Sequence, residues 1–225
     1  MIDHLLRIIA PSPCYGCGQI GLSLCDNCEF DIVNEPYVGC VSCQRPAGTK
    51  GICNTCVVLY DQAWVVSERT DVIENLLDGY KFEREKASFR IFAKLLHSRL
   101  PIFGDIHIEF VPIPTISSHI RQRGYDHMKL ITRELARLRN ASYSPVLVRK
   151  TNTKQLGSSK VQRIQNAKHA FEVRKPLDDT IMYVLVDDVF TTGSTITYAA
   201  KALRDAGAGS VSAAIIARQP LDKVG

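Results

Sequence analysis

All eight cysteines of the 225-residue chain lie between residues 14 and 56, and their spacing constrains the fold more than any other feature. They form four Cys-x-x-Cys pairs: Cys14/Cys17, Cys25/Cys28, Cys40/Cys43 and Cys53/Cys56. Each such knuckle can place two thiolates on one metal ion, and tetrahedral zinc takes four ligands. Eight thiolates therefore predict two zinc sites. Because four cysteines close the coordination shell, both sites are expected to be structural.

The pairing of the four knuckles stays open at this level. In a sequential arrangement the first two pairs share one ion and the last two share the other. In an interleaved arrangement the first pair joins the third and the second joins the fourth. Redox Cys-x-x-Cys motifs occur singly, so a redox role is disfavoured, and an iron–sulfur cluster is the remaining alternative to zinc.

Composition divides the chain near residue 60. Residues 1–60 are rich in Cys, Gly and Pro, and they need metal ions in place of a core. Residues 61–225 alternate apolar runs with amphipathic segments, as expected of a folded domain. No apolar run approaches the roughly 20 residues that span a bilayer. The first ten residues contain an acid and an arginine, so they do not resemble a secretory signal, and we expect a cytoplasmic protein.

The pattern after residue 60 predicts an α/β domain with a mainly parallel sheet. Strands are predicted at residues 62–66, 106–113, 146–148, 181–186 and 211–216. Helices are predicted at residues 71–80, 86–100, 125–139 and 194–205. Residues 150–168 are polar and basic without periodicity, which predicts a long loop, and loops of this length are usually functional or mobile.

The strongest motif follows the apolar strand at residues 181–186. Asp187 and Asp188 end this strand, and a hydroxyl-rich loop then leads into a helix; the loop contains Thr191, Thr192, Gly193, Ser194 and Thr195. Hydroxyls and backbone N–H groups at a helix N-terminus bind anions, and here they suit a single phosphate. The two acids suit vicinal hydroxyls or Mg²⁺, so the segment predicts a site for a ribose 5-phosphate. A helix cap alone would need one such residue.

This segment resembles the phosphoribosyl pyrophosphate (PRPP) signature of type I phosphoribosyltransferases. The resemblance implies that Asp187 and Asp188 contact the ribose hydroxyls and that the Thr-Thr-Gly-Ser-Thr loop holds the 5-phosphate of PRPP, bound with Mg²⁺. It also implies the type I phosphoribosyltransferase fold, a parallel sheet with helices on both faces and a small hood, preceded here by a double zinc ribbon.

Further motifs resemble the ComF/GntX family, the competence protein F group, over nearly the whole chain. They are the cysteine module, Tyr80-Lys81-Phe82, Val111-Pro112-Ile113-Pro114, Arg123-Gly124-Tyr125, and Gln155, Arg163, Asn166 and Phe171. Within these motifs Lys81 and Arg123 are candidates to contact pyrophosphate. The family's usual Phe-Asn-Gln after Arg-Gly is replaced by Tyr125-Asp126-His127, so no role is predicted for Asp126 and His127. Core or surface packing is expected for His127.

Charge is concentrated in the middle of the chain. Residues 119–175 contain 14 Lys and Arg against three Asp and Glu, a net +11, which implies polyanionic ligands. Three functions stay open. The chain is a phosphoribosyltransferase that the family links to DNA uptake and natural transformation, a non-catalytic PRPP sensor that binds single-stranded DNA, or a nucleobase salvage enzyme. DNA-uptake proteins are the implied protein partners.

Overall fold

The computed structural model describes residues 12–82, 85–149 and 170–221. The loop predicted at residues 150–168 lies outside these ranges, and so do Gln155, Arg163 and Asn166 of the family motifs.

The described ranges contain both predicted and unpredicted elements. The helices are α1 (Asp26–Asn34), α2 (Asp71–Phe82), α3 (Phe89–Arg99), α4 (Ser117–Arg123), α5 (His127–Leu138) and α6 (Ser194–Asp205), and a 3₁₀ turn spans Lys86–Ser88. The strands are β1 (Gln62–Glu68), β2 (Ile108–Pro112), β3 (Ser142–Tyr143), β4 (Leu147–Arg149), β5 (Phe171–Val173), β6 (Met182–Phe190) and β7 (Ser210–Arg218). None of the described helices combines the length and the apolar character that a bilayer crossing requires.

The main sheet has five strands in the order β1-β7-β6-β2-β3, and every neighbouring pair is parallel. The predicted mainly parallel α/β architecture is therefore confirmed. Strands β6 and β7 are the most apolar because they lie inside the sheet and both of their faces are covered.

Two apolar clusters lie on opposite faces of the sheet, since successive strand residues point to alternate sides. Val184 belongs to the cluster that contains residues of α2, α3 and α5. Leu185 belongs to the other cluster, which contains residues of α6, β4 and β5. Helices thus cover both faces and hold the carboxyl ends of the strands at one rim.

The strand predicted at residues 146–148 does not join the main sheet. It forms β4, which pairs antiparallel with β5 in a separate two-stranded sheet, Leu147 opposite Val173. A three-residue apolar run does not specify its partner, and here the partner strand lies beyond residues 150–169, which are outside the described ranges. Helices α1 and α4 were not predicted because neither buries a residue, so neither has an apolar face to read.

The cysteine-rich segment packs directly on the α/β domain. Cys14 and Leu24 are buried in the cluster on one face, and Val41 is buried in the cluster on the other face. The Arg99 side chain of α3 donates to the carbonyls of Val65 at 2.7 Å and Tyr37 at 3.1 Å, which joins the segment to β1. The segment therefore shares both cores, and a division of the chain at residue 60 stays a prediction.

Candidate functional site

A cavity of about 350 Å³ opens beside the carboxyl ends of β1, β2 and β6. Open α/β sheets bind ligands at this rim. Five of the sequence-predicted site residues line the cavity: Lys81 from α2, Arg123 from α4, Asp187 and Asp188 from β6, and Thr195 from α6. Residues more than 100 positions apart in the chain are thus brought to one site.

The predicted phosphate loop lies between β6 and α6. Gly193 is the N-cap of α6 with φ of +78°, and a Cβ atom there would lie 2.3 Å from Cζ of Phe190. Only glycine fits this position, because it accepts a positive φ and leaves room for the ring. The hydroxyls of Thr192 and Ser194 are 3.0 Å apart, and both residues are exposed. The loop therefore presents hydroxyls to solvent at a helix N-terminus, as a phosphate site requires.

Asp188 is the charged member of the acid pair. Its Oδ2 atom forms an ion pair with Nζ of Lys81 and lies 3.0 Å from Nε2 of His127. Burial raises the pKa of this carboxyl, but the charge of Lys81 and the contact with His127 outweigh burial and hold the pKa below its usual range. Asp188 is therefore an ionised carboxylate with fixed orientation.

Asp187 has the opposite environment although it is the neighbouring residue. Its side chain is buried, and burial together with the charge of Asp188 raises its pKa to about 8. The backbone N–H of Asp188 donates to Oδ1 of Asp187 at 3.0 Å. The environments of the two acids thus act in opposite directions: burial favours the neutral form of Asp187, whereas Lys81 and His127 favour the charged form of Asp188.

His127 links this pair to Arg123. Nη1 of Arg123 lies 3.0 Å from Nδ1 of His127, and arginine has only donors, so Nδ1 accepts. The ring proton is then on Nε2, which donates to Asp188. His127 is buried, as expected of a packed residue, but its ring bonds to two site residues. Sequence reasoning assigned it no role, and the available signal was its position beside the Arg123-Gly124 motif.

Asp126 has a local structural role. It is the N-cap of α5, and its Oδ1 accepts from the backbone N–H of Lys129 at 3.2 Å and from the hydroxyl of Thr115 at 2.9 Å. Capping by a carboxylate fixes the first turn of the helix and thereby the direction of the neighbouring His127.

Arg149 is a further cavity residue that sequence reasoning did not single out. It ends β4, and its guanidinium carbon lies 4.8 Å from the centre of the Phe171 ring. Burial lowers its pKa, and its Nε atom is buried without a hydrogen-bond partner among the described residues. Nothing in the sequence distinguished this arginine from the other bases of residues 119–175.

The cysteines form two separate groups, which decides the pairing. Cys14, Cys17, Cys25 and Cys28 form one group, and Cys40, Cys43, Cys53 and Cys56 form the other, with all sulfur atoms of a group within 4.8 Å of one another. The sequential arrangement is therefore confirmed, and the interleaved one is wrong. Sulfur atoms of Cys17 and Cys25 are 3.7 Å apart, and those of Cys43 and Cys53 are 3.6 Å apart. Tetrahedral zinc with Zn–S bonds of about 2.3 Å sets sulfur atoms about 3.8 Å apart, so both groups have the geometry to hold zinc.

Comparison with known proteins assigns the family. No family model matches the chain. Over 207 residues it is 31% identical to competence protein F of Haemophilus influenzae, covering 87% of this chain and 90% of that protein. It is 28% identical over 206 residues to competence protein ComFC of Bacillus subtilis, covering 87% of this chain and 84% of the relative. It is also 28% identical over 224 residues to DNA utilization protein YhgH of Salmonella typhi, covering 91% and 96%.

Two solved structures with weaker similarity were also found. The allosteric regulatory enzyme of purine biosynthesis gives a TM-score of 0.40 at 19% identity, covering 56% of this chain and 25% of that enzyme. A hypoxanthine phosphoribosyltransferase from Staphylococcus aureus gives 0.38 at 12% identity, covering 59% and 64%.

The sheet topology and the two four-cysteine groups define a mainly parallel α/β protein with an N-terminal segment that has the geometry to hold two metal ions. With its similarity over most of both chains, the protein belongs to the competence protein F family.

Proposed function

We propose that the protein binds PRPP together with Mg²⁺ in the cavity at the strand ends. One observation carries the proposal. The two acids of β6 share a single cavity with Lys81 and Arg123, and the predicted phosphate loop begins α6 beside it. In the proposed complex Asp187 and Asp188 contact the ribose hydroxyls, the loop holds the 5-phosphate, and the two bases contact pyrophosphate.

The size and charge of the cavity support this ligand. Its volume of about 350 Å³ lies in the range of small-molecule sites. Arg69 and Arg149 line it in addition to Lys81 and Arg123, and the acids are Asp78, Asp187 and Asp188. The four bases outnumber the three acids, and burial favours the neutral form of Asp187, so the charge of the cavity favours a polyanion.

The donor chemistry of the site also fits Mg²⁺. Carboxylate oxygens and substrate phosphates are the ligands that this ion prefers, and both would meet beside β6. When bound, Mg²⁺ neutralises part of the pyrophosphate charge. The protein's own contribution is to hold the ribose in place and to surround the departing pyrophosphate with Lys81 and Arg123 while a nucleophile attacks C1.

A second candidate function is a non-catalytic PRPP sensor that binds single-stranded DNA. The relatives' names refer to competence and DNA utilization, which supports a role in natural transformation. A structural observation supports DNA contact: Lys129, Arg133 and Arg137 are exposed and lie four residues apart along α5. Residues at this spacing share one face of a helix, so α5 presents a basic stripe.

Calorimetry with PRPP and Mg²⁺ tests the proposal. We expect the wild type to bind, and the double variant Asp187→Asn/Asp188→Asn to lose most of the affinity. The matched control is Asp178→Asn/Asp179→Asn, an acid pair that does not line the cavity and is expected to bind as the wild type does. Equal affinity of both double variants would overturn the proposal. A pyrophosphate-release screen over nucleobases and single-stranded DNA then separates the transferase, the salvage enzyme and the sensor.

A further inference from the structure

Arg218 at the end of β7 is a buried cation that the proposed chemistry does not use. Its exposed fraction is 1%, and every acceptor that the described residues offer to its guanidinium is a backbone carbonyl. A buried charge is costly unless hydrogen bonds satisfy it, so a position that only fills space would take an apolar side chain. The buried arginine therefore indicates that its hydrogen bonds to the segments around it have a structural role.

One side of Arg218 contacts the second four-cysteine group. Nε donates to the carbonyl of Val41 at 2.5 Å, and Nη2 donates to the carbonyl of Ser42 at 3.3 Å. These two residues are the bridge between Cys40 and Cys43. Gln44 adds a parallel contact, because its Nε2 donates to the carbonyl of Gln219 at 3.0 Å. The end of β7 is thus fastened to the backbone of a metal-binding knuckle.

The other side of Arg218 contacts the start of the phosphate loop. Nη1 donates to the carbonyl of Phe190 at 3.3 Å, and the guanidinium carbon lies 5.2 Å from the centre of the Phe190 ring. The backbone N–H of Gln219 donates to the same carbonyl at 3.0 Å. The Phe190 ring in turn contacts Gly193, where it leaves no room for a Cβ atom. The Phe190 ring therefore determines where the loop backbone at Gly193 can lie.

We infer that Arg218 is a positioning residue through which the second four-cysteine group controls the phosphate loop. Metal held by Cys40 and Cys43 fixes the two carbonyls between them, these carbonyls orient the guanidinium, and the guanidinium holds Phe190 under Gly193. Loss of that ion frees the bridge, and the guanidinium then no longer fixes the carbonyl and the ring of Phe190. The inference rests on the proposed function for its ligand, PRPP, but the coupling itself does not require PRPP.

The first four-cysteine group has different neighbours and provides a control. Gly16, in its first knuckle, lies close to Val72 of α2, and Glu29 of α1 forms an ion pair with Lys94 of α3 at 2.8 Å. Among the described contacts neither residue touches β7 or the phosphate loop. The two metal groups are therefore expected to have separable effects.

The first experiment compares Arg218→Lys with Arg99→Lys. Arg99 also joins the cysteine-rich segment to the α/β domain through two carbonyls, but at Val65 and Tyr37, away from the loop. Amide hydrogen exchange of residues 189–195 and PRPP affinity by calorimetry are measured, with zinc content as a check. We expect Arg218→Lys to keep its metal, to bind PRPP at least tenfold more weakly and to exchange at least tenfold faster in the loop. Arg99→Lys is expected to change neither, and similar results for the two variants would overturn the inference.

A second pair of variants covers the case in which Arg218→Lys does not fold. Cys53→Ser removes a ligand of the second group, and Cys17→Ser removes one of the first. We expect faster exchange of residues 189–195 in Cys53→Ser alone. Unchanged exchange in Cys53→Ser, or equal acceleration in both, would overturn the coupling. If the wild type fails to bind PRPP, the proposed function fails, whereas the exchange measurement still decides the coupling.

Discussion

His127 and Lys81 converge on a single oxygen atom of Asp188. Nε2 of the histidine lies 3.0 Å from Oδ2, and Nζ of the lysine forms an ion pair with the same atom. The donors come from α5 and α2, and the acceptor is on β6. Since both donors hold one oxygen, the carboxylate has a fixed rotation before any ligand arrives.

The first prediction concerns the histidine in this arrangement. His127→Ala removes one of the two donors that orient Asp188, and loss of such a supporting partner typically weakens binding about 10–100-fold, so we expect PRPP affinity to fall roughly tenfold or more. His127→Gln keeps an N–H donor and should recover part of the loss. His107→Ala is the control, because His107 is exposed and immediately precedes β2, at the end of the strand opposite to the cavity. Calorimetry with PRPP and Mg²⁺ gives the answer, and wild-type affinity in His127→Ala would show that the contact does not serve binding.

The second prediction is that neutralising the two acids changes stability in opposite directions. Burial raises the pKa of Asp187 to about 8, whereas an unfolded aspartate has a pKa of about 3.9. The folded protein thus keeps a proton that the unfolded chain has lost, so this group lowers the free energy of unfolding as pH rises from about 4 to about 8. Asp187→Asn removes this pH-dependent loss of stability. We expect its melting temperature to exceed that of the wild type, by more at pH 8 than at pH 6.

Asp188→Asn should behave differently in the same thermal unfolding series. Its depressed pKa means that the stability it contributes is already complete above about pH 4 and is lost only below that value. The substitution leaves the mostly buried Lys81 without its partner, which is destabilising. We expect a melting temperature below that of the wild type at both pH 6 and pH 8. Shifts of the same sign in both variants would contradict the assigned charge states.

The third prediction concerns the backbone of the phosphate loop. Gly193→Ala forces a side chain into a positive φ and against the Phe190 ring, so both stability and PRPP affinity should fall. Gly104→Ala is the matched control, since Gly104 has φ of +61° and nothing within 4 Å of a Cβ atom. Both substitutions place a side chain at a positive φ, but only Gly193→Ala brings a methyl group against the Phe190 ring. Equal losses of affinity would mean that the Phe190 contact has no role.

The elements that could be predicted are those whose own residues form a distinctive pattern. β6 is a continuous apolar run followed by two acids and a loop of hydroxyls, so its type, its position and its chemistry could be read directly. The same holds for β7 and for the apolar faces of α3 and α5. Lys81 and Arg123 were found only through the family resemblance, because a single base in a polar segment has no distinctive pattern. The structure adds that Lys81 forms an ion pair with Asp188 of β6 and that Arg123 lines the same cavity.

What could not be predicted depends on contacts between distant segments. β4 pairs with β5, which follows it only after the undescribed residues 150–169, and a three-residue run such as Val146-Leu147-Val148 does not reveal which sheet it enters. His127 became a site residue only because α5 aims it at β6. Arg218 follows an apolar strand and resembles a solvent-exposed end residue in the sequence, but the cysteine-rich segment covers it.

The fourth prediction concerns metal. Protein purified without chelators should contain two zinc ions per chain, because the eight sulfur atoms form two compact groups. Strong chelation should lower the melting temperature of the whole described fold, since Cys14 lies in the core on one face of the sheet and Val41 lies in the core on the other. Metal analysis and thermal unfolding with and without chelator provide the check. One zinc or none in carefully handled protein would contradict the assignment.

The last prediction concerns nucleic acid. Residues 119–175 carry a net charge of +11, more than one pyrophosphate requires, so we expect binding of single-stranded DNA without sequence preference. Affinity must fall with salt, by about 0.7 log units per log unit of salt for each contacted phosphate. Charge reversal at Lys154, Lys160 and Arg163, which lie outside the described residues, should reduce this slope if the long loop contacts DNA.

Charge reversal of Lys129 and Arg133 tests the stripe on α5 separately and serves as the comparison. Titrations of fluorescent single-stranded DNA at several salt concentrations give a slope for each variant, and calorimetry gives the PRPP affinity of the same proteins. Because the stripe residues do not line the cavity, their reversal should leave PRPP binding intact while it lowers the slope. Charge reversal at Lys154, Lys160 and Arg163 could instead lower PRPP affinity and leave the salt dependence of DNA binding unchanged. These three bases would then contribute to PRPP binding, and DNA contact would be confined to α5. Unchanged slopes in both variants would contradict DNA binding by this basic region.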